Sequence, residues 1–351
     1  MDLQDSKYFL IIKEAIKMIK SLISKIAKNP TLFYAMSIAA TWANAGSLLN
    51  GVTTVQENGI VPYLLWALGN TLACIVFGVF ALKIPKLVNV FDSRIMKIIM
   101  GIMCPFQCWI SMNGIQTVFS STPIGKVGGI IIALAFAIFF IVLLYKYGIL
   151  SNVLSDNISW IAVYVILFAL TGVVLIISKG NYQVLQMGTD QIGVGIKNCL
   201  LLIPGAFLYP YYYELLKYNE KNSDGVNKIN IQKAFILGGF AFGFYLIFIF
   251  LMAYAKFGMV ANIIKAILVT LIAISSLSSF LYSIYLTFGK KLGTGINILT
   301  VVLWQFLIPL GVMGAWTLMA SIRVYIVAGA IIFAYIWHFK EKYNSKKEMA
   351  K

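Results

Sequence analysis

Residues 31–59 read TLFYAMSIAATWANAGSLLNGVTTVQENG, a stretch apolar and long enough at its front to enter a bilayer but irregular from its middle onward. About twenty mostly apolar residues span a membrane as helix. Here Asn44, Ala45 and Gly46 place a polar amide and a helix-weakening glycine near the centre. Backbone can break at that depth only where it lines a cavity or is buried in protein. Ser37, Thr41, Asn44 and Ser47 recur at helical spacing, so a continuous helix would put them on one face. Two roles account for such a face. It lines a path for a solute or ion, or its small hydroxyl residues let helices approach closely and share hydrogen bonds.

Composition sets the class. Of 351 residues, 60% are hydrophobic and only 11% charged, and the mean hydropathy is +0.88. A soluble core cannot enclose that much apolar surface, so the chain is expected to be an integral membrane protein. Its net charge of +16 follows membrane sidedness and does not form a nucleic-acid face, so no nucleic-acid partner is expected. Cys74, Cys104, Cys108 and Cys199 all lie in apolar segments without a CxxC pair and read as small buried hydrophobes. The first residues lack the short apolar core and small-residue cleavage site of a secretory leader.

The segment KYFLIIKEAIKMIKSLISKIAK, residues 7–28, alternates an isoleucine-rich stripe with lysines, the pattern of a helix lying on anionic lipid. Pro30 ends this N-terminal region, 1–30. Ten spans are then expected at about 31–54, 60–83, 94–119, 125–146, 157–178, 192–217, 232–255, 258–289, 292–312 and 316–338, with a basic tail over 340–351. All lysines and arginines other than Lys126, Lys179, Lys197, Lys256, Lys265 and Arg323 fall on one set of ends. Both termini are therefore expected in the cytoplasm, in a cell membrane.

The sixth span repeats the irregularity of the first, since CLLLIPGAFLYPYYYELLK, residues 199–217, carries Pro204, Gly205 and Pro210. Proline removes an amide donor and clashes with the preceding turn. Broken helices one and six in a ten-span core of residues 31–339 predict an all-α fold of two inverted five-helix repeats, about 31–178 and 192–338, whose breaks hold solute and ions. Two ordinary proline-type kinks are the alternative.

Four stretches resemble the sodium:solute symporter family, whose fold is of the LeuT type. In LIAISSLSSFLYSIYLTFGKK, residues 271–291, the paired Ser275 and Ser276 followed by Ser278 and Ser279 are similar to that family's eighth helix. YGILSNVLSDNISWIAVYVIL, residues 147–167, is similar to its approach to the fifth helix, with a glycine, a linker and the pair Ser155 and Asp156. The exit of the first span, residues 40–59, and the proline-centred sixth span are the others. The chain resembles the ten-helix core alone, without the extra flanking helices of many members.

This resemblance implies a sodium site made by the carbonyls of Ala40, Ala43 and Ile272 and the hydroxyls of Ser275 and Ser276, with Asp156 nearby toward the cytoplasm. Asp156 has a second reading as the N-cap of the fifth helix. A solute would lie between the breaks, near Asn44 and Ser47 of span one, Gln107, Asn113 and Gln116 of span three, Phe207 and Tyr209 of span six, and Arg323 of span ten. Arg323 either receives a carboxylate or snorkels to the outer interface, as Lys197 and Lys265 are expected to do.

No catalytic constellation competes. The lone histidine, His338, ends the last expected span, and no HExxH or Walker motif occurs. The expectation is a sodium-coupled secondary transporter of a small organic solute, not an enzyme, with sodium as coupling ion, no cofactor, and membrane lipid around it. A proton-coupled transporter and a non-transporting small-molecule receptor on the same fold are the other readings. The sequence specifies neither the solute nor an oligomeric state.

Overall fold

The computed structural model describes residues 28–83, 85–178, 186–218, 229–253, 259–305 and 321–334, with Ser21, Leu318, Ile336, Trp337 and Lys340. The interfacial segment expected over 7–28 and the tail 340–351 lie outside these residues, apart from Ser21, Lys28 and Lys340. So do His338 and the junction of the ninth and tenth expected spans.

Asn29 starts the first helix, its side chain accepting the Leu32 amide at 3.2 Å, and Pro30 takes the position where no amide donor is needed. This helix, α1, runs Pro30–Trp42. Ala43 and Asn44 are extended, and α2 follows over Ala45–Asn58. The break therefore falls at Ala43 and Asn44, one residue ahead of the expected position, and Gly46 is already helical. Asn44 explains the restart, because its side chain accepts the Ser47 amide at 3.1 Å as an N-cap.

Next come α3 (Ile60–Lys83), α4 (Pro85–Phe91), α5 (Arg94–Phe119), α6 (Gly125–Tyr147) and α7 (Ile149–Ser178). The second half has α8 (Ile192–Leu202), a 3-10 segment (Ile203–Leu208), α9 (Pro210–Leu216), α10 (Ile231–Ala253), α11 (Met259–Phe288) and α12 (Lys290–Leu303). A further apolar helix, α13, covers Ser321–Ala334. Among the described residues every regular element is helical.

Among the described residues seven helices are long and apolar enough to cross a membrane, which suggests a multi-pass membrane protein. The first expected span is not among them because its break leaves pieces of 13 and 14 residues. Of the seven, α11 is the most buried. It lies between α5 and α7, while α1 fits between α7 and α10. On α6, Ile131, Ile138, Phe139 and Val142 are exposed, an apolar face suited to lipid.

The fifth helix begins at Ile149, eight residues before the expected span. Asp156 is therefore inside α7 and is not its N-cap. The polar run that reads as a linker stays helical because tertiary partners take up its side chains. The amide of Asn157, for example, donates to Phe33 O at 3.0 Å and Val153 O at 2.8 Å.

A glycine pair joins the two halves. Gly59 has φ +94° and Gly188 φ +65°, and Ile60 N–H donates to Gln186 O at 3.0 Å. A Cβ on Gly188 would lie 1.9 Å from Asn58 O, and one on Gly59 2.7 Å from Gln186 O. Gly188→Ala therefore meets both an unfavourable φ and a backbone clash. Thermal unfolding of the purified variant is expected to register a loss of about 1–3 kcal/mol, and an unchanged melting temperature would refute this account of the junction.

Candidate ion and solute site at two broken helices

The two breaks meet. Trp42, the last residue of α1, stands edge-on to Tyr209 with ring centroids 5.6 Å apart, and Tyr209 is the extended residue between the 3-10 segment and α9. Gly205 makes this approach possible, because a Cβ there would lie 2.7 Å from Trp42 Cη2 and 3.1 Å from Arg323 Nη1. Pro204 starts no continuous α-helical turn and Pro210 begins a new helix at its first position.

On one side of the break lies a fully buried polar cluster. Ser37 Oγ donates to Asp156 Oδ2 at 2.5 Å and lies 2.6 Å from Tyr211 Oη, so Tyr211 is left as donor to Ser37. Asn152 Nδ2 reaches the same carboxylate oxygen at 3.3 Å, and Ser279 Oγ reaches it at 3.4 Å. Thr41 Oγ1 is 2.8 Å from Ser279 Oγ, and Ser278 donates to Asn152 Oδ1 at 2.7 Å. Asp156 is completely buried, and its Oδ1 has no hydrogen-bond partner. Among the described residues, the ion pairs are Lys97 with Asp92 and Lys217 with Glu214, so no cationic side chain offsets this carboxylate. A buried charge without a partner is expensive.

One turn along α1 and α11, Ser275 Oγ lies 3.2 Å from Ala40 O and 3.0 Å from Ile272 O. Ser276 Oγ lies 3.3 Å from Ile272 O and 2.9 Å from Ser111 Oγ. The structure thus brings Ala40, Ile272, Ser275 and Ser276 together, with Ala43 three residues past Ala40 at the break and Asp156 one turn away toward the start of α1. Ser111 joins this oxygen set from α5. It is a lone hydroxyl in an apolar run, a signal too ordinary to select it from sequence. Neutral hydroxyls and carbonyls with one carboxylate in reach form a donor set for a hard monovalent cation.

On the other side of the break, a small cavity is lined by Trp42, Asn44, Ser47, Asn50, Trp66, Asn70, Leu202, Tyr209 and Arg323. Its free space fits roughly one water molecule. Of the expected solute residues, Asn44, Ser47, Tyr209 and Arg323 meet here. Gln107 approaches only through a long contact of 3.5 Å from Asn44 Nδ2. Asn113 and Gln116 are buried elsewhere along α5, Gln116 against Gly129 of α6. Phe207 also lies away from the cavity, packed on Phe77 and Phe91 at 5.2 and 5.8 Å.

Arg323 corrects an expectation. It is 3% exposed, so it does not snorkel. Lys197, by contrast, is exposed and Lys265 half-buried. The break also divides the expected stripe of span one, sending Ser37 and Thr41 to the carboxylate cluster and Asn44 and Ser47 to the cavity. Asn50, three residues beyond Ser47, extends the second pair at helical spacing and was legible on that ground. Asn70 was legible only as an amide inside an apolar span. Its Oδ1 accepts Trp42 Nε1 at 3.1 Å, which fixes the indole as a cavity wall.

No protein-family model matches the chain, and a search of curated proteins finds no match.

Proposed function

We propose that this chain is a secondary active transporter of the cell membrane that couples inward movement of a small organic solute to sodium by alternating access. The carrying observation is the convergence of Ala40 O, Ile272 O, Ser275 Oγ and Ser276 Oγ beside a helix break, one turn from the Asp156 carboxylate, which has no ion-pair partner among the described residues. In this reading a sodium ion is cargo held by those oxygens, and its charge offsets Asp156. Two breaks, in the first and sixth segments and touching through Trp42 and Tyr209, support ten spans in two inverted five-helix repeats of LeuT type, and the one-sided lysines and arginines support cytoplasmic termini. The cavity bearing Arg323 is then the solute site, closed in this conformation. Opening and closing around it would follow from rocking of the helices on either side of the breaks.

Ser275 bridges the two helices, whereas Ser276 shares its hydroxyl with Ser111. Ser275→Ala is therefore expected to weaken sodium binding by about tenfold, and Ser276→Ala by less. Thermal stability of the purified protein in sodium against potassium, at equal ionic strength, reads both, because a ligand that binds only the folded state raises its stability. Equal melting temperatures in the two cations for the parent would remove the sodium assignment.

One observation favours proton coupling as the second reading: a buried carboxylate with no cationic partner also satisfies itself by taking a proton. Uptake that follows a pH gradient in sodium-free buffer would select it.

A further inference from the structure

We infer that the transported solute carries a carboxylate and that Arg323 receives it. This rests on the reading of the cavity at the breaks as the solute site, and it deepens that reading by naming the chemical class. Arg323 is a cation buried where desolvation costs several kcal/mol unless a partner is supplied. Among the described residues no carboxylate pairs with it, and its Nε has no hydrogen-bond partner. Its Nη1 faces the close approach of Gly205, at the wall shared with Trp42 and Tyr209. The Tyr209 hydroxyl lies within hydrogen-bond reach of Arg323 but supplies no countercharge. Asn50 lines the same cavity, is 3% exposed, and neither its amide nitrogen nor its amide oxygen has a hydrogen-bond partner.

Guanidinium binds planar carboxylates through a two-pronged fork. The amide of Asn50 can both donate and accept, so it suits a polar substituent near the acid. Trp42, Trp66 and Tyr209 supply flat apolar walls. The negative Asp156 lies in the cluster on the far side of the break, so the cavity presents a positive group to the solute while the coupling cation sits with the carboxylate.

The test uses the full-length purified protein in sodium buffer and follows thermal stability with pyruvate, succinate, benzoate and the proteinogenic amino acids, each beside its amide. Sodium chloride and sodium sulfate alone form the inorganic-anion arm. The expected result is that at least one acid raises the melting temperature and its amide does not. Arg323→Gln then weakens that acid by about tenfold to a hundredfold, with Arg323→Lys falling between. The inference is overturned if amides bind as well as acids, if Arg323→Gln binds the acid like the parent, if chloride alone reproduces the shift, or if no acid stabilises the parent more than Arg323→Gln. A sodium-specific rise kept in Arg323→Gln shows that the variant folds and that the sodium reading stands even where the carboxylate inference fails. Loss of that rise in the parent itself would strike the underlying reading instead.

Discussion

Asp156→Asn is expected to weaken sodium binding by at least tenfold while leaving the helices in place. Asparagine keeps the shape and an acceptor oxygen for Ser37 and Ser279, whose hydroxyls lie 2.5 and 3.4 Å from Asp156 Oδ2. It removes the charge that the cation offsets, and charged hydrogen-bonding groups contribute about 1.5–3 kcal/mol each. Sodium affinity should fall by about tenfold to a hundredfold. Sodium-dependent stabilisation of the purified variant should shrink at every sodium concentration, whereas stability in potassium should hold or rise, since an uncompensated buried charge has been removed. Asp156→Ala separates the structural from the electrostatic role. It leaves Ser37, Asn152 and Ser279 without their acceptor and should cost about 1–3 kcal/mol in either cation. Sodium stabilisation of Asp156→Asn equal to that of the parent would mean that the carboxylate takes no part in ion binding.

Gly205→Ala is the second large effect. The added methyl would lie 2.7 Å from Trp42 Cη2 and 3.1 Å from Arg323 Nη1. Trp42 has little freedom to retreat, because Asn70 Oδ1 holds its Nε1 at 3.1 Å and Tyr209 abuts its ring. Displacement then falls on Arg323 or on the 3-10 segment, at an overpacking cost of about 1–3 kcal/mol. The proposed solute site is disturbed and the proposed ion site, on the far side of the break, is not. Solute binding and uptake should drop by about tenfold or more, with the sodium-dependent rise in melting temperature preserved. Loss of both together would show that the two sites are not separated as described.

Ser275, Ser276 and Asp156 were singled out through the family resemblance, and their polarity inside apolar runs was enough to expect them buried; the structure buries all three. The solute side was less legible, for a physical reason. The break at Ala43 and Asn44 rotates everything after it relative to everything before, so a stripe drawn through Ser37, Thr41, Asn44 and Ser47 joins residues that end in two different places, the carboxylate cluster and the cavity. Helical spacing is a rule for unbroken helix only. The early start of α7 misled in the opposite direction. Residues 151–157 contain Ser, Asn, Ser, Asp and Asn, a composition that favours turns when side chains bond locally, but here Asn152, Asp156 and Asn157 bond to other helices. Arg323 shows the same limit. Its distance along α13 was readable, but which way the helix faces is decided by the neighbours it packs against.

The central claim, an oxygen-lined sodium site at the first break, is tested most directly by equilibrium binding of radioactive sodium to the purified full-length protein, with potassium and lithium as competitors. The account predicts saturable binding that potassium does not displace and that Asp156→Asn and Ser275→Ala each weaken by about tenfold or more. The absence of saturable sodium binding by a folded parent protein, or binding unchanged in both variants, would contradict it.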